Sequence, residues 1–366
     1  MRAQFSGKGS GTKDDPYLIT TANELNQTRN NLEACYKLMR DIDLTEWLSE
    51  NNPSQGWMPI GAKYEPFKGT FDGNGKTVKL FINRPDQEYV GFMGVVSCAT
   101  IKKLTVKGNI TGKTAVGGII GCSSPYCEIE DCHYVGNVNG GGIVGWISFY
   151  ESKYSLGQIA TIKNCSFTGK AKAGIVYSCG MVYIQGCKVN ATIESEDHAG
   201  GIIGIISPGK TSVKSTGSKE WFDHFSEVHD CSVSGHIKGK NAGGIVGSSA
   251  AIKIYNNLVT ADVEGTNAGG VLGERYNNSI NEKYVTIIKN VIASTEIKGT
   301  NSVGRVSGTQ YVTCGNNGSL STNYVINGLC VYLDDQKQTI SDSPINGEIC
   351  GKSVLAESAT YEGLGW

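Results

Sequence analysis

The chain has 366 residues, and its 33 Lys and Arg residues nearly balance its 34 Asp and Glu residues. This balance, without a run of like charges, argues against a basic arm for nucleic acid. With 49 Gly and only 8 Pro, the composition predicts strands joined by tight turns rather than disorder or a collagen repeat. The sequence has no stretch of about 20 apolar residues, so it predicts no membrane-spanning helix. Because residues 1–11 are polar and glycine-rich, we expect any signal peptide to be already removed or absent from this chain.

The N-terminal part, residues 1–60, is predicted to be a cap followed by the first strands. Thr21-Ala-Asn-Glu24 has the sequence of a capping box, which predicts a short helix to about Leu32 with Leu25 on its buried side. The later turn Asp72-Gly-Asn-Gly75 resembles part of a calcium loop but lacks the further carboxylates that such a loop needs. We therefore expect a tight corner that leads into the repeats.

A glycine-rich repeat runs from Val90 to Gly308, and neighbouring copies are 24 or 26 residues apart where no insertion intervenes. Its clearest copies, each ending in Gly-apolar-apolar-Gly, are Ala115–Gly121, Asn139–Gly145, Ala199–Gly204, Ala242–Gly247 and Ala268–Gly273. A second track has the pattern apolar-polar-polar-apolar, as in Ile162-Lys-Asn-Cys165, and an alternating third segment follows it.

Three short strands per repeat, with inward side chains at every second position, predict an all-β fold. Specifically, the pattern predicts a right-handed parallel β-helix, a solenoid in which equivalent residues stack about 4.8 Å apart. Ile and Val would fill the interior, and glycines would allow the corners. We expect a single domain over residues 1–366, with repeating coils over 61–318 and a C-terminal coil and small cap, including a helix near 352–361, over 319–366.

Four of the 12 cysteines occupy one position of the repeat, and asparagines occupy it later: Cys132, Cys165, Cys187, Cys231, then Asn257 and Asn290. We interpret this series as a stacked row of buried free thiols. Two alternatives are a disulfide between Cys122 and Cys127, or a zinc cluster that adds Cys132 and His133. The zinc cluster lacks paired Cys-x-x-Cys units, and we predict neither a metal site nor a cofactor.

One dense acidic group with a histidine, formed by Glu194, Glu196, Asp197 and His198, is the best enzymatic candidate in the sequence. Lyases and hydrolases that cleave polysaccharides work with carboxylates. However, comparable acids do not recur in neighbouring repeats, so we expect a solvated turn between strands.

Three insertions, at 146–158, 205–227 and 274–284, leave the repeat just after its glycine doublet. Since they share one phase, we expect all three on one edge of the solenoid, where inserted loops commonly build a binding face. Aromatic rings there suit stacking on sugars or anchoring a protein, although they could instead fold each loop back on the coil. The predicted ligand-binding residues are Trp146, Phe149, Tyr150, Tyr154, Trp221, Phe222, His224, Tyr276 and Tyr284.

The glycine-hydrophobic-glycine repeats, together with Gly9–Ile19, Tyr36–Leu44, Trp57–Gly61 and Phe67–Val78, resemble the GLUG-motif family over nearly the whole chain. That family occurs in bacterial surface proteins and beside the protease region of IgA-type metallopeptidases. The resemblance implies an extracellular or outer-surface, adhesin-like protein, and it brings no catalytic motif.

We therefore expect a non-catalytic, monomeric surface or secreted protein that binds a glycan or a partner protein through its aromatic loops. A polysaccharide lyase or glycoside hydrolase is one alternative, and a structural spacer within a larger surface protein is another.

Overall fold

The structure, a computed structural model, describes residues 5–148, 159–206, 226–249, 251–275, 285–309, 323–326, 328–339 and 348–350. Over these residues the chain is predominantly β, and its strands form parallel sheets with few helices. The predicted all-β class is thus confirmed. No described helix is long and apolar enough to cross a membrane.

The N-terminal part contains both α-helices of the described chain. In order, its elements are β1 (Tyr17–Ile19), α1 (Ala22–Gln27), a 3-10 helix (Thr28–Asn30), β2 (Cys35–Leu38), β3 (Ile42–Asp43) and α2 (Thr45–Asn51). The predicted capping box is present: Thr21 accepts a hydrogen bond from the Glu24 backbone, and Glu24 reaches back to the cap. The α-helix ends before Leu32, since a 3-10 turn replaces its last part, and α2 was not predicted.

The remaining strands follow the repeat. They are β4 (Thr70–Val90), β5 (Met93–Val96), β6 (Thr100–Val116), β7 (Ile120–Ser123), β8 (Glu128–Glu130), β9 (His133–Val138), β10 (Val144–Ile147), β11 (Ala160–Lys163), β12 (Ser166–Ala171), β13 (Val176–Cys179), β14 (Val182–Gln185), β15 (Lys188–Gly200), β16 (Ile203–Ile206), β17 (Ser226–His229), β18 (Ser232–Gly243), β19 (Val246–Ser249), β20 (Ile252–Tyr255), β21 (Leu258–Val259), β22 (Asp262–Gly269), β23 (Leu272–Arg275), β24 (Val285–Ile288), β25 (Val291–Ile292), β26 (Glu296–Gly304), β27 (Tyr324–Ile326), β28 (Cys330–Leu333), β29 (Gln336–Lys337) and β30 (Glu348–Cys350).

These strands form two sheets, and each strand except β29 pairs in parallel with its equivalent in a neighbouring repeat. The small sheet has the order β5-β7-β10-β13-β16-β19-β23, all parallel, and the large sheet takes the other strands. A typical repeat gives one strand to the small sheet and two to the large sheet, as β10, β11 and β12 do. Positions one repeat apart in sequence are therefore neighbours in space. We call each such layer a rung.

The interior is filled by like residues stacked on like. The second track stacks Ile129, Ile162, Ile184 and Val228, all at most 1 % exposed, and the apolar pairs after the glycine doublets are also buried. Cys132, Cys165, Cys187 and Cys231 follow the second track, are at most 1 % exposed and have free thiols. The predicted row of buried thiols is confirmed, and Asn257, Asn290 and Asn323 continue it.

The predicted role of glycine at the corners holds at one position of the repeat, where Gly108, Gly136, Gly169 and Gly235 have positive φ, but not at the corner before the thiol row. A positive φ occurs just before Leu104 and just before the thiols and asparagines that follow it in the row: Lys103 (52°), Asp131 (52°), Asn164 (53°), Gly186 (66°), Asp230 (56°), Asn256 (54°) and Lys289 (54°). The doublet glycines serve a different purpose. A Cβ on Gly118 would lie 2.2 Å from the Gly142 oxygen and 2.4 Å from the Tyr134 ring, so glycine allows close contact between backbone and core. Asn74 and Gly75, with φ of 51° and 72°, form the predicted corner after Asp72.

β27 pairs in parallel with β30, and β28 pairs antiparallel with β29. The helix predicted near 352–361 lies outside the described residues.

Candidate functional site

The three insertions are anchored on one edge of the molecule. The predicted starts, at 146, 205 and 274, fall inside β10, β16 and β23, and we take the last residues of these strands, Ile147, Ile206 and Arg275, as the anchors. The register of the small sheet runs Ile147–Cys179–Ile206–Ser249–Arg275, so the anchors occupy one position on alternate rungs. With strands about 4.8 Å apart, successive anchors are about 10 Å apart. We call this row of anchors the insertion edge.

Of the predicted ligand-binding residues, Trp146 lies within the described chain. It is 40 % exposed, next to the end of β10, and its register neighbours are Cys122 and Ser178. Phe149, Tyr150, Tyr154, Trp221, Phe222, His224, Tyr276 and Tyr284 lie outside the described residues. An exposed indole therefore marks the start of the first insertion.

The predicted acidic group does not lie on a turn between strands. Glu194, Glu196, Asp197 and His198 belong to β15, which continues through them with an irregularity in its register between Ser195 and His198. The backbone stays extended because β15 pairs with β18 on both sides of this irregularity. A strand with local bulging replaces the expected turn.

The members of that group also make separate contacts. Glu194 Oε2 lies 2.5 Å from Lys170 Nζ, and this hydrogen bond lowers the pKa of the exposed carboxyl. His198 Nδ1 instead lies 3.3 Å from Asn241 Nδ2, and burial lowers the pKa of its imidazole. A general acid and a general base that act on one bond need a common target. Glu194 instead contacts Lys170 on the preceding rung, and His198 contacts Asn241 on the following rung.

His198 begins a polar network that links the two sheets. Asn241 donates to Glu274 Oε2 at 2.6 Å, and Ser248 donates to the same oxygen at 2.9 Å. Asn267 donates to Asn241 Oδ1 at 2.7 Å one rung further on. Because these groups satisfy one another, the network provides structural support for the last rungs.

The outward face of the large sheet carries two columns of polar side chains, which we call the outer face. One column runs Thr70, Thr100, Glu128, Thr161, Tyr183, Glu227 and Lys253, and the other runs Lys37, Asp72, Lys102, Glu130, Lys163, Gln185, His229 and Tyr255. In the second column the charge alternates from Lys37 to Lys163. After Lys163, the second column continues with the amide of Gln185 and the rings of His229 and Tyr255.

There the outer face holds a hydrogen-bonded Tyr–His–Asp chain that the sequence analysis missed. His229 Nδ1 lies 2.8 Å from Asp230 Oδ2, and His229 Nε2 lies 2.8 Å from the Tyr183 hydroxyl. The imidazole is only 6 % exposed, since it also stacks on Tyr255 with ring centroids 4.6 Å apart. Both ring nitrogens of a nearly buried histidine are thus engaged. We call Tyr183, His229 and Asp230 the relay.

Neighbouring side chains fix the relay and set its electrostatics. Gln185 Nε2 donates to Asp230 Oδ2 at 3.3 Å, and Lys163 Nζ lies 5.5 Å from the centre of the Tyr183 ring. Burial, together with the carboxylates of Glu227 and Asp230, raises the pKa of the Tyr183 phenol. Tyr183 therefore stays protonated at neutral pH and can act as a proton donor.

Glu227 organises the next rung. Its carboxylate accepts from Lys253 at 3.0 Å and from the Tyr255 hydroxyl at 3.2 Å. Tyr255 thus has a partner of its own and stands outside the relay, although its ring packs on His229. Its phenol also has a raised pKa, because of burial and the Glu227 charge.

The sequence contained one usable signal for the relay. Tyr183 and His229 lie in consecutive copies of the second track, at the outward positions beside Ile184 and Val228. In the linear sequence this relation is hidden, because β15, β16 and the second insertion separate the two copies. Alignment of Ile184 with Val228 brings the tyrosine and the histidine onto neighbouring rungs. The position of His229 on the outward side of the strand was therefore the one feature of the sequence that pointed to the relay. Its burial could not be predicted from the pattern.

The two alternatives for the cysteines find no support in the geometry. Cys122 and Cys127 are both free and buried, so the disulfide considered between them is absent. Burial raises the pKa of Cys122 to about 11. Cys132 is fully buried, and His133 Nδ1 lies 2.8 Å from Ser166 Oγ instead of near the thiols. Within the described ranges, no group of three or more metal-binding side chains is present.

Comparison with known proteins gives partial matches. No protein-family model matches the chain. A protein described as a Gly-rich membrane protein, from Evansella cellulosilytica, is 39 % identical over 121 residues, which cover 32 % of this chain and 14 % of the relative. Halomucin from Haloquadratum walsbyi is 31 % identical over 156 residues, which cover 34 % of this chain and 2 % of halomucin. The chain therefore matches only a small part of each relative.

Among solved structures, a candidate immunoglobulin A1 protease from Bacteroides ovatus aligns over 97 % of this chain and 89 % of its own. The sequence identity is 17 % and the TM-score is 0.46. A likeness of this size does not establish a shared function.

Proposed function

We propose that the chain is a right-handed parallel β-helix of the GLUG-motif type, and that it serves as a surface-protein module which binds an extended glycan at the insertion edge. The observation that carries the proposal is the placement of three insertion anchors at one position on alternate rungs, beside the exposed Trp146. A rigid stack of strands keeps such anchors at fixed spacing, as repeat scaffolds do for their binding faces.

Aromatic residues support a sugar as the ligand. Trp146 exposes 40 % of its surface at the start of the first insertion, and the three insertions add eight Trp, Phe and Tyr residues between Phe149 and Tyr284. Aromatic rings give a large contact area with a polar edge, which suits both sugar rings and protein partners. The even spacing of the anchors favours a repetitive polymer over a globular partner.

The names of the partial relatives support a location at the cell surface. One is described as a membrane protein and the other is named halomucin. Both are much longer than this chain, which fits a module within a larger surface protein. A purely structural spacer would share these features but would not bind ligand at the insertion edge.

The test is glycan binding by the full chain and by a matched pair of variants. Trp146→Ala removes the exposed indole at the insertion edge, whereas Val135→Ala removes a side chain of similar exposure, 41 %, on β9 of the large sheet. We expect Trp146→Ala to weaken binding on a glycan array by about tenfold or more, as truncation of an aromatic anchor does. Val135→Ala should bind like the wild type, and both should melt within a few degrees of it.

Ligand length provides a second readout. Because the outer anchors are four rungs apart, they span about 20 Å. Affinity should therefore rise with oligosaccharide length up to about this span and then level off. Equal binding by Trp146→Ala and wild type, or no binding of any glycan by the wild type, would remove the proposed function and leave the spacer.

A further inference from the structure

The relay on the outer face has the arrangement of an acid–base catalyst. A proton-transferring hydroxyl works best beside a base that a third group orients. Tyr183 supplies the hydroxyl, His229 Nε2 lies 2.8 Å from it, and Asp230 holds the other ring nitrogen at 2.8 Å. Asp230 as acceptor fixes the proton of a neutral imidazole on Nδ1, so Nε2 accepts from the Tyr183 hydroxyl at 2.8 Å, a shorter distance than the 3.3 Å to the other acceptor of that hydroxyl, Gln185 Oε1.

The surroundings of Tyr183 indicate the class of substrate. Lys163 Nζ lies 5.5 Å from the Tyr183 ring centre, and no ion pair of Lys163 occurs within the described part of the chain. An ammonium over the ring of a proton-transferring tyrosine suits a substrate whose carboxylate lies next to the reacting carbon. A polysaccharide that contains uronic acids has this chemistry.

The location also suits a polymer. The relay lies on the outer face of the large sheet, and the second insertion rejoins that sheet at Ser226, three residues before His229. The columns of the outer face run across consecutive rungs, so a chain molecule can extend along them past Tyr183.

We propose that Tyr183, with His229 and Asp230 behind it, catalyses β-elimination in a uronic-acid-containing polysaccharide. Tyr183 takes the C5 proton of the uronate while its own proton passes to His229 Nε2. The electron pair of the broken C5–H bond forms the C4=C5 double bond and expels the oxygen linked at C4. That oxygen then receives a proton back from Tyr183, which His229 reprotonates. The step needs no oxidant or co-reactant, and Lys163 offsets the negative charge that develops beside the carboxylate.

The roles are distinct. Tyr183 is the catalytic residue, whereas His229 and Asp230 act through it and position its proton. The proposal does not require Trp146 to bind glycan, because the relay and the Trp146 side chain lie on different sheets. The two proposals can therefore fail separately.

The experiment incubates the full chain with polygalacturonate, alginate, hyaluronan and heparan sulfate, and follows the ultraviolet absorbance of the unsaturated product. Tyr183→Phe keeps the ring and removes the hydroxyl, and it should lower kcat by about 100-fold or more, as loss of general acid–base catalysis does. Tyr255→Phe is the matched control, since its hydroxyl bonds Glu227 one rung away. It should retain activity within about twofold.

Asp230→Asn tests the positioning role. It should lower kcat while KM and the melting temperature stay near the wild-type values, because the imidazolium that forms in the step loses its stabilising carboxylate. A merely structural role would instead lower the melting temperature. Absence of unsaturated product from all four polymers with the wild type, or equal kcat for Tyr183→Phe and wild type, would overturn the proposal.

Discussion

One interior position of the repeat is occupied by two chemically different kinds of side chain along the same molecule. In the first half it holds thiols, from Cys132 to Cys231, and in the second half it holds amides, at Asn257, Asn290 and Asn323. All are at most 2 % exposed, so both kinds of side chain are removed from water. The comparison shows that stacking accepts either a nearly apolar group or a fully bonded polar group.

The two halves differ in how they satisfy the backbone. Asn290 Oδ1 accepts from the Asn257 backbone N–H at 3.1 Å and from Asn257 Nδ2 at 2.9 Å, and the same pattern repeats from Asn323 to Asn290. The thiol half makes longer contacts: Cys165 Sγ donates to carbonyls at 3.2 Å and 3.8 Å, and the Cys187 backbone N–H donates to Cys231 Sγ at 3.4 Å. A thiol is a weak donor, while an amide donates and accepts strongly. In the amide half, each side chain therefore relies more on its neighbour for hydrogen bonds than in the thiol half.

The largest expected effect is the loss of an amide from the middle of the series. Asn290→Ala removes the acceptor of a buried backbone N–H and the donor to the carbonyls of Ile254 and Ile288. With several buried groups left unpaired and a cavity formed, the free energy of unfolding should fall by about 4 kcal/mol. Chemical denaturation followed by circular dichroism measures it, and a loss below about 1 kcal/mol would show that the amides do not bond as described.

Removal of a thiol should cost much less. Cys165→Ala deletes one buried sulfur, which is only a weak acceptor for the Cys132 backbone N–H, so we expect a loss of about 1 kcal/mol. The same denaturation experiment gives the value. If Cys165→Ala were as destabilising as Asn290→Ala, the proposed difference between the two halves would be wrong.

The smallest effect concerns the junction between the halves. Cys231 donates its backbone N–H to Asn257 Oδ1 at 2.9 Å, so an asparagine at 231 can also donate its amide there and lengthen the series. At 165 the same substitution lies between two thiols. Because the change in volume is identical, Cys231→Asn should be more stable than Cys165→Asn by about one hydrogen bond, or about 1 kcal/mol. Equal stabilities of the two variants would show that the asparagine at 231 does not form the extra hydrogen bond to Asn257.

Much of the fold could be predicted from the sequence because the repeat has a fixed phase. The Ile and Val stacks, the thiol row and the capping box at Thr21 all follow from local patterns. The left-handed corners at Lys103 and Lys289 could not be predicted, since lysine has no special preference for positive φ and the stacking of neighbouring rungs imposes it. The second helix, α2, has no side-chain hydrogen bond at its N-cap that a sequence motif could reveal.

The insertion edge and the relay also differ in how far the sequence predicts them. The shared edge of the insertions follows from their phase in the repeat, and the register of their anchors agrees with it. The relay depends instead on the burial of His229 by rings from rungs on either side, and this burial is a property of the stack. A pattern within one repeat contains no such information.

The central claim is that equivalent positions of successive repeats are direct neighbours. A double-mutant cycle between Asn257→Ala and Asn290→Ala tests it most directly, with Asn257→Ala and Asn323→Ala, two rungs apart, as the control pair. We predict a coupling free energy of about 1–2 kcal/mol for the adjacent pair and a clearly smaller one for the control. Additive losses for Asn257 and Asn290 would mean that the two side chains do not touch, and would contradict the stacked arrangement.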